Sequence, residues 1–329
     1  MSDDLWQPSA PQRNLRRRGE ILRGIREYFY KEGVLEVETP MLSRHATVDP
    51  HIDSFQTLYR PLGTHVKEPL FLHTSPEFPM KRLLAAGSGD IYFLGRVFRN
   101  GEAGGRHNPE FTMLEWYRVG IDHHRLMDDV TRVLQAVTDF EEAGRFSYRE
   151  LFEQALGIDP HEASDDDLLQ LVHFHIDSGL TELSRNDYLD LLFSTCIEPR
   201  LGSRDGEKIA GVYVYDYPAS MSALSRLQVN EQGQTVAARF ELFVNGYELA
   251  NGYHELADGE EQRTRFEKDR QEREQLGKPL YPYDQNLVSA LAHGFPDCAG
   301  VAMGIDRLHM LIANTRAIRD VVPFDFERA

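Results

Sequence analysis

Residues 91–98 read IYFLGRVF and residues 111–117 read FTMLEWY. Both runs are rich in aromatic and branched apolar residues, which favour β-strands. The stretch from Gly101 to Gly105 lies between them and is rich in glycine, a composition typical of a turn. The pattern therefore predicts an antiparallel hairpin with a long loop. A hairpin of this kind indicates that the fold contains an antiparallel sheet.

The segments on either side of this hairpin predict a mixture of helices and strands. Further strands are predicted at residues 34–40, 209–217, 238–250 and 299–304. Helices are predicted, from apolar spacing and capping residues, at 15–32, 75–86, 124–140, 147–156, 258–276 and 306–314. No regular βαβ alternation appears, so we predict an α+β fold with a mostly antiparallel sheet flanked by helices.

Two of these helices have a distinctive local feature. The helix at 75–86 is predicted to begin with Ser75 as N-cap and Pro76 at its first position. The basic run at residues 16–18 is interpreted as a solvated helix face. Residues 159–206 are polar and helix-like, and they predict a solvated connecting insertion.

Composition narrows the class of protein. The 329 residues carry 36 Lys and Arg against 53 Asp and Glu, a formal net charge of −17, which argues against extensive nucleic-acid binding. No stretch is apolar enough to cross a membrane, and residues 1–14 lack the apolar core of a signal peptide. The chain has two cysteines and no CxxC, so we expect a reduced, cytoplasmic protein.

Several common catalytic motifs are absent from the sequence. It has no GxxxxGK[ST], no GxGxxG after a strand, no HExxH and no GxSxG. His173 and His175 are a weak metal signal, and we interpret them as surface histidines.

The loop of the first hairpin is the first segment that could carry chemistry. It places Arg99 at the end of a strand, then glycines, then Arg106, His107 and the aromatic Phe111. Cations beside an aromatic ring suit a polyanion that carries a flat ring, because arginine forms planar bidentate contacts with phosphate. A salt-bridged hairpin is an equally good interpretation of these residues alone.

The second segment, residues 241–255, is rich in carboxylates. A regular strand places the odd-numbered positions on one face, namely Glu241, Tyr247, Asn251, Tyr253 and Glu255. Glu248 has the other parity, and a bulge near Gly246 could bring it to the same face. Neighbouring carboxylates repel, so a cation such as Mg²⁺ or a substrate ammonium is expected there. The alternative is an exposed acidic sheet face.

The third segment reads GVAMGIDRL at residues 300–308. Small residues in a strand allow a ligand to approach the backbone, and Arg307 at the start of the next helix can stack on a ring.

Taken in order, these segments resemble the signature motifs of class II aminoacyl-tRNA synthetases. Residues 33–40 resemble motif 1, 99–111 motif 2 and 300–307 motif 3, and the resemblance runs from Leu15 to the C-terminus. The details at 106–113 and 251–255 are similar to lysyl-tRNA synthetases. The resemblance implies the class II catalytic fold and, through motif 1, an isologous homodimer.

Two departures from lysyl-tRNA synthetases narrow the resemblance. The resemblance places residue 1 close to the start of the catalytic domain, so no OB anticodon-binding domain is expected, and the chain has Ala302 where those enzymes have glycine. In both features the chain resembles a related family whose members ligate lysine to elongation factor P. We therefore expect residues 1–329 to form one synthetase-like domain, with 159–206 as its insertion.

That resemblance implies an ATP-dependent, AMP- and pyrophosphate-forming ligase. It would activate (R)-β-lysine as an adenylate and transfer it to the ε-amine of a lysine on elongation factor P. ATP and Mg²⁺ are the implied co-substrate and metal, and tRNA and membrane are not expected as partners. The alternatives are a truncated lysyl-tRNA synthetase paralogue that uses another acceptor, or a non-catalytic paralogue that senses an amino acid.

The resemblance also implies a role for individual residues. The amino-acid site would contain Ser75, Pro76, Glu77, Glu115, Tyr117, Asn251, Tyr253, Glu255 and Ala302. ATP would contact Arg99, Asn100, Gly101, Glu102, Arg106, His107, Asn108, Phe111, Glu248, Leu249, Gly304 and Arg307. Mg²⁺ would bind Glu241 and Glu248, and Arg99 and Arg307 would be catalytic.

Some of these implied roles are more specific. Arg99 would contact the substrate carboxylate and the α-phosphate, while Phe111 and Arg307 would sandwich the adenine. Ala302 would disfavour the α-amino placement of L-lysine. The motif 2 consensus has Glu where this chain has Gly101. Either Glu102 serves the adenine amino group, or backbone groups of residues 100–101 replace it.

Overall fold

The computed structural model describes residues 5–176 and 183–329. Its helices are α1 (Gln12–Lys31), α2 (Glu77–Ala85), α3 (His123–Gln135), α4 (Tyr148–Leu156), α5 (Asp165–Ile176), α6 (Arg185–Leu192), α7 (Gly259–Gln275), α8 (Gln285–His293) and α9 (Ile305–Ala313). Its strands are β1 (Leu35–Glu36), β2 (Leu42–Ser43), β3 (Gln56–Tyr59), β4 (Glu68–Leu72), β5 (Ile91–Phe98), β6 (Glu110–Val119), β7 (Phe140–Ser147), β8 (Ser203–Asp205), β9 (Lys208–Pro218), β10 (Leu227–Val229), β11 (Thr235–Val244), β12 (Tyr247–His254) and β13 (Cys298–Gly304). None of the described helices is long and apolar enough to cross a membrane.

The chain divides into two compact units. Unit 1 contains the residues up to Gly120, Ala257–Asp297 and Ala302–Ala329. Unit 2 contains Ile121–Leu256 and Cys298–Val301. Strand pairs within the units are mostly antiparallel and helices accompany them, so the predicted α+β class is confirmed.

Unit 1 is built on the predicted hairpin. Strands β5 and β6 are antiparallel and in register from Ile91 opposite Tyr117 to Phe98 opposite Glu110. The apolar stripe of α1 covers this hairpin, and its Phe29 stacks on Tyr92 with ring centroids 4.4 Å apart. The strand predicted at 34–40 is shorter than expected, because only β1 pairs with β5.

The basic run in α1 is only partly a solvated face. Arg18 is buried and pairs with the buried Asp306 at 2.5 Å, whereas Arg16 is exposed. Asp306 also accepts a hydrogen bond from the Thr112 amide at 2.8 Å. The interpretation was therefore wrong for Arg18, whose ion pair joins α1, β6 and the start of α9.

Unit 2 contains antiparallel strands β9, β11 and β12, with β7 parallel to β9. Residues 238–250 were predicted as one strand, and this is wrong. Asn245 and Gly246 have φ angles of 53° and 70° and form the two-residue turn between β11 and β12. Asn-Gly favours such hairpin turns because both positions need a left-handed backbone.

Two other predictions for unit 2 need correction. The helix predicted at 124–140 ends at Gln135, and its last predicted residue, Phe140, begins strand β7. The segment 159–206 is not merely solvated, since α5 and α6 bury an apolar face in a core with α4 and β9. The buried members from this segment are Leu168, Val172, Tyr188, Leu189, Leu192, Phe193, Ile197 and Leu201. Whether the chain acts as one synthetase-like domain stays a prediction.

Candidate active site

The carboxylate of Glu115 is a buried acidic group of unit 1. Glu115 lies on β6 and is only 3% exposed. It accepts hydrogen bonds from the Ser75 hydroxyl at 2.7 Å and the Tyr117 hydroxyl at 2.8 Å. Residues 115 and 117 share a face of β6, so the strand's alternation places both groups together. The structure thus brings together three of the predicted amino-acid-site residues.

Burial dominates the electrostatics of this group. Burial, and after it the negative charge of Glu77, raise the pKa of Glu115 to about 8. A buried carboxylate without a compensating charge is costly, so the pocket favours an incoming cation. We call this set of residues, Ser75, Glu77, Glu115 and Tyr117, the carboxylate pocket.

Glu77 has a partner, Lys81, that was not predicted from the sequence. The fully buried Lys81 donates to its carboxylate at 2.6 Å, one helical turn along α2. The spacing of four residues between opposite charges was a readable signal for this pair. Lys81 also lowers the pKa of Glu115, but its effect is smaller than that of burial.

The start of α2 differs slightly from the prediction. The helix begins at Glu77, so Pro76 occupies the N-cap and Ser75 precedes it. The Ser75 hydroxyl nevertheless accepts a hydrogen bond from the Glu77 amide at 3.0 Å. The predicted helix start was one position too early, because the φ angle of proline suits both the N-cap and the first helical position. The Ser75 hydroxyl still bonds to the Glu77 amide, as a capping serine would.

The loop between β5 and β6 presents the cations of motif 2. The guanidinium of Arg99 lies over the Phe111 ring, 5.2 Å from its centroid, and 3.7 Å from the Glu102 carboxylate. Gly101 has a φ of 87°, a conformation that explains why glycine replaces the consensus glutamate there. Stacking and pairing give Arg99 a defined orientation, with its Nε buried and lacking a hydrogen-bond partner among the described residues.

The other residues of this loop form their own contacts. Arg307 lies 3.2 Å from Nε2 of His107, and burial together with that cation lowers the pKa of His107. The Asn108 side chain donates to the Glu110 carbonyl and accepts from the Phe326 amide at 2.9 Å. The Asn100 amide donates to the Asp53 carbonyl at 2.8 Å. The arginine side chains beside His107 suit contact with phosphate oxygens.

Several motif 2 predictions stay predictions. The guanidinium over the Phe111 ring is that of Arg99. The stacking of adenine between Phe111 and Arg307 therefore stays a prediction. Glu102 pairs with Arg99. This contact does not decide whether the Glu102 side chain or the backbone of residues 100–101 binds the adenine amino group. Arg106 is exposed, and Gly304 is the N-cap of α9.

Unit 2 gathers a second acidic set on β11 and β12. Glu241 accepts hydrogen bonds from the Tyr217 hydroxyl at 2.8 Å and from Nδ2 of Asn251 at 3.2 Å, and it forms an ion pair with Arg239. The Arg239 guanidinium lies over the rings of Tyr217 and Tyr253, 4.5 and 5.6 Å from their centroids. Arg239 was not predicted as a site residue, although its spacing of two from Glu241 on a strand was a readable signal.

Arg239 supplies a positive charge beside the carboxylate of Glu241. Burial raises the pKa of Glu241 to about 7, while Arg239 opposes the rise and Glu248 adds to it. Arg239 and Glu241 are 12% and 14% exposed, so the pair is largely withdrawn from water. The alternative of an exposed acidic sheet face is therefore wrong.

A bulge in β12 brings Glu248 to the same face as Glu241, as predicted, but the bulge lies at Leu249 and not at Gly246. Ala250 is opposite Leu242 and Glu248 is opposite Phe243, so Leu249 is the extra residue of β12. Opposite residues share a face, and thus Glu248 joins Glu241 and Asn251. Tyr247, opposite Val244, falls on the other face, so its predicted placement was wrong.

Three further predicted residues lie in or next to strands. Leu249 has no opposite residue in β11, which leaves its backbone groups outside that ladder. Glu255 is buried just after β12, with its amide bonded to the Cys298 carbonyl at 3.0 Å. Ala302 lies in β13 and is partly buried. Two carboxylates on one face provide the hard oxygen ligands that Mg²⁺ prefers, so Glu241 and Glu248 fit the predicted metal.

Comparison with known proteins gives a consistent result over nearly the whole chain. Residues 4–328 match the family of class II tRNA synthetases (D, K and N). An elongation factor P–(R)-β-lysine ligase from Yersinia enterocolitica is 48% identical over 326 residues, 98% of each chain. Proteins of the same name from Mannheimia succiniciproducens and Pseudoalteromonas translucida are each 45% identical, over 99% and 100% of both chains.

Proposed function

The chain belongs to the class II tRNA synthetase family of the aspartate, lysine and asparagine type, and from this premise we propose that it ligates (R)-β-lysine to elongation factor P. The relatives that it matches over almost their whole length carry that activity in their names. The structural observation that carries the proposal is the buried Glu115 of the carboxylate pocket, because a cationic amino acid compensates its charge.

The first step is activation of the substrate carboxylate by ATP. A carboxylate oxygen attacks the α-phosphorus, the new P–O bond forms the adenylate, and pyrophosphate leaves with the electron pair of the broken P–O bond. The protein positions the two reactants and stabilises the charge that develops between them. Arg99 suits this role because Phe111 and Glu102 fix its guanidinium before substrate binds.

The carboxylate pocket selects the substrate by charge. A substrate ammonium favours the ionised form of Glu115 and offsets the cost of its burial. The hydroxyls of Ser75 and Tyr117 hold both carboxylate oxygens in place at 2.7 and 2.8 Å. A neutral amino acid leaves the carboxylate protonated and gains little from the pocket.

Two metal ligands are proposed in unit 2. Glu241 and Glu248 would hold Mg²⁺, which supplies positive charge to the outer phosphates when bound. Arg239 already keeps Glu241 from carrying an isolated charge, and Tyr217 and Asn251 fix its orientation. The bulge at Leu249 supports the proposal because it turns Glu248 to the same face.

The second step transfers the acyl group to a protein amine. The amine nitrogen attacks the adenylate carbonyl carbon, the C–N bond forms, and AMP leaves as the nitrogen loses a proton. A net charge of −17 favours a protein acceptor over the phosphate backbone of tRNA. Such a reaction on a translation factor belongs in the cytoplasm.

We also propose an isologous homodimer through the α1–β1 surface. Tyr30 and Leu35 are 85% and 55% exposed, unusual values for large apolar side chains. They line a cavity of about 730 Å³ with Leu22, Val34 and Tyr92. A second copy that covers this surface would remove it from water.

ATP–pyrophosphate exchange tests the proposed activation step. Exchange should depend on (R)-β-lysine, be weaker with L-lysine and be absent with norleucine, which lacks the side-chain ammonium. Ala302→Gly should improve the use of L-lysine by about tenfold or more, since one methyl group is worth about 1–3 kcal/mol in a binding site. No exchange with either lysine isomer would contradict the proposal and favour a non-catalytic sensor.

A further inference from the structure

A second cluster of titratable side chains lies in unit 2, outside the groups assigned above. His123 and His124 are the first two residues of α3, and Asp216 lies on β9. Each offers one ligand atom, and these three atoms all lie within 4.8 Å of one another. Within residues 5–176 and 183–329, no other group of three His, Cys, Asp or Glu side chains meets this condition.

Local structure fixes the cluster in place. Asp122 caps α3 by accepting the Arg125 amide at 2.9 Å, so the two histidines are held in the first helical turn. Asp216 has a φ of 55°, a left-handed conformation that aspartate tolerates better than most residues. Gln228 donates to Oδ1 of Asp216 at 3.1 Å and orients the carboxylate.

The independent sign of a ligand is His123. Its side chain is 1% exposed, and neither ring nitrogen has a hydrogen-bond partner among the described residues. The closest carboxylate oxygen is Oδ1 of Asp216, 3.7 Å from Nε2, which is beyond hydrogen-bonding distance. A buried imidazole without partners is costly, and coordination of a metal removes that cost.

The chemistry of the set favours one type of ion. Two imidazole nitrogens with one carboxylate oxygen suit Zn²⁺ and similar transition metals, whereas Mg²⁺ prefers oxygen ligands alone. Tetrahedral zinc requires ligand atoms about 3.3 Å apart, a change that side-chain rotation can supply.

We propose that His123, His124 and Asp216 form a binding site for a divalent transition-metal ion, with Zn²⁺ as the preferred metal and water as the fourth ligand. The ion joins the start of α3 to β9. His254 of β12 is adjacent, with its ring centroid 6.3 Å from that of His123. The site therefore stabilises unit 2 beside the strand that carries Asn251 and Tyr253.

Cobalt binding to the full chain is the direct test. Co²⁺ is titrated into metal-free protein in the presence of excess Mg²⁺, which occupies carboxylate-only sites. One Co²⁺ should bind per chain with the visible absorption of a four-coordinate ion, and Zn²⁺ should displace it. Metal binding should also raise the midpoint of thermal unfolding, because the ion binds the folded state.

Two variants locate the site, and one serves as a matched control. Asp216→Asn tolerates the left-handed backbone, and His124→Ala changes a partly exposed residue; each should weaken Co²⁺ binding by more than about tenfold. The double variant His173→Ala/His175→Ala, on the exposed face of α5, removes the same residue type elsewhere and should bind like the parent chain. Circular dichroism of the metal-free proteins verifies that each variant folds.

Three results would overturn the proposal. The first is the absence of stoichiometric Co²⁺ binding to the parent chain. The second is unchanged binding in both folded site variants. The third is loss of binding in the His173/His175 variant, which would assign the ion to α5. ATP–pyrophosphate exchange is a separate readout, so none of these results depends on the proposed ligase activity.

Discussion

The hydroxyl of Ser75 donates a hydrogen bond of 2.7 Å to Glu115, forty positions further along the chain. The contact joins Ser75, two positions before α2, to the middle of β6, and Tyr117 holds the other carboxylate oxygen at 2.8 Å. The two hydroxyl groups thus direct both carboxylate oxygens, while the positive charge of Lys81 only partly offsets the effect of burial on the pKa of Glu115. This arrangement orients the Glu115 carboxylate for contact with an ammonium group.

The substitution Glu115→Gln should weaken binding of the lysine substrate. Glutamine keeps the size of the side chain and can still bond to Ser75 and Tyr117, but it has no charge for an ammonium. Loss of a buried charge pair of this kind costs about 2 kcal/mol or more, roughly thirtyfold in the KM for β-lysine. ATP–pyrophosphate exchange measures the change, and the KM for ATP should stay near its parent value.

Glu110→Gln is the matched control for this variant. Glu110 lies on the same strand, but it is exposed and pairs with Arg96 at 3.3 Å. It should leave the KM for β-lysine unchanged. An equal rise in KM for both variants would remove Glu115 from its assigned role.

The pH dependence of substrate binding should follow Glu115. Its pKa is raised to about 8, so below that pH the free protein holds a proton that an ammonium must displace. The KM for β-lysine should therefore rise as pH falls from 8 towards 6, and Glu115→Gln should flatten this part of the profile. An identical profile in both proteins would contradict the assignment.

The same raised pKa has a consequence for stability. The folded state keeps this proton to a higher pH than the unfolded state, so the contribution of Glu115 is lost as pH rises towards 8. Glu115→Gln should therefore gain stability relative to the parent between pH 5 and pH 9. Urea unfolding at the two pH values measures the difference.

Arg99→Ala should slow adenylate formation far more than it weakens ATP binding. Removal of one fixed group that stabilises transition-state charge typically lowers the rate by about 10²–10³-fold. Single-turnover formation of the adenylate gives the rate, and equilibrium titration gives the affinity for ATP. Arg96→Ala, at the same end of β5, is the control and should affect neither quantity strongly. Similar mild losses in both quantities for Arg99→Ala would argue that this residue only binds ATP.

Arg239→Met should destabilise the protein through Glu241. The substitution leaves a largely buried carboxylate without its cation, an effect of about 3 kcal/mol. Adding Glu241→Gln should restore much of the loss, because the second change removes the isolated charge. Urea unfolding of the two single variants and the double variant measures the coupling free energy. Additive losses would contradict the pairing seen in the structure.

The elements that were predicted well are those fixed by local sequence. The β5–β6 hairpin, β9 and the start of α7 at Asp258 follow from apolar alternation, turn glycines and a capping carboxylate. The turn at Asn245 and Gly246 carried an equally local signal, but the carboxylates around it drew the interpretation towards a single strand. The site residues on β6 were implied by the family resemblance. On β12, strand parity correctly placed Asn251 and Tyr253 on the face of Glu241, but it failed for Tyr247 because of the bulge.

What the sequence could not supply are contacts between distant segments. Arg18 and Asp306 are separated by 288 positions, and neither residue type alone indicates a buried pair. His123 and Asp216 likewise meet only because α3 and β9 pack together, so the weaker His173 and His175 pattern was noticed instead. The bulge at Leu249 was anticipated in kind but not in place, because bulges depend on the partner strand.

The central claim is best tested by the intact mass of elongation factor P. The factor is incubated with this protein, ATP, Mg²⁺ and either (R)-β-lysine or L-lysine, with lysine tRNA as a parallel acceptor. The account predicts that elongation factor P gains the mass of one lysyl group, faster with the β-isomer, while the tRNA stays uncharged. Charging of the tRNA with an unmodified elongation factor P would contradict it and identify a lysyl-tRNA synthetase instead.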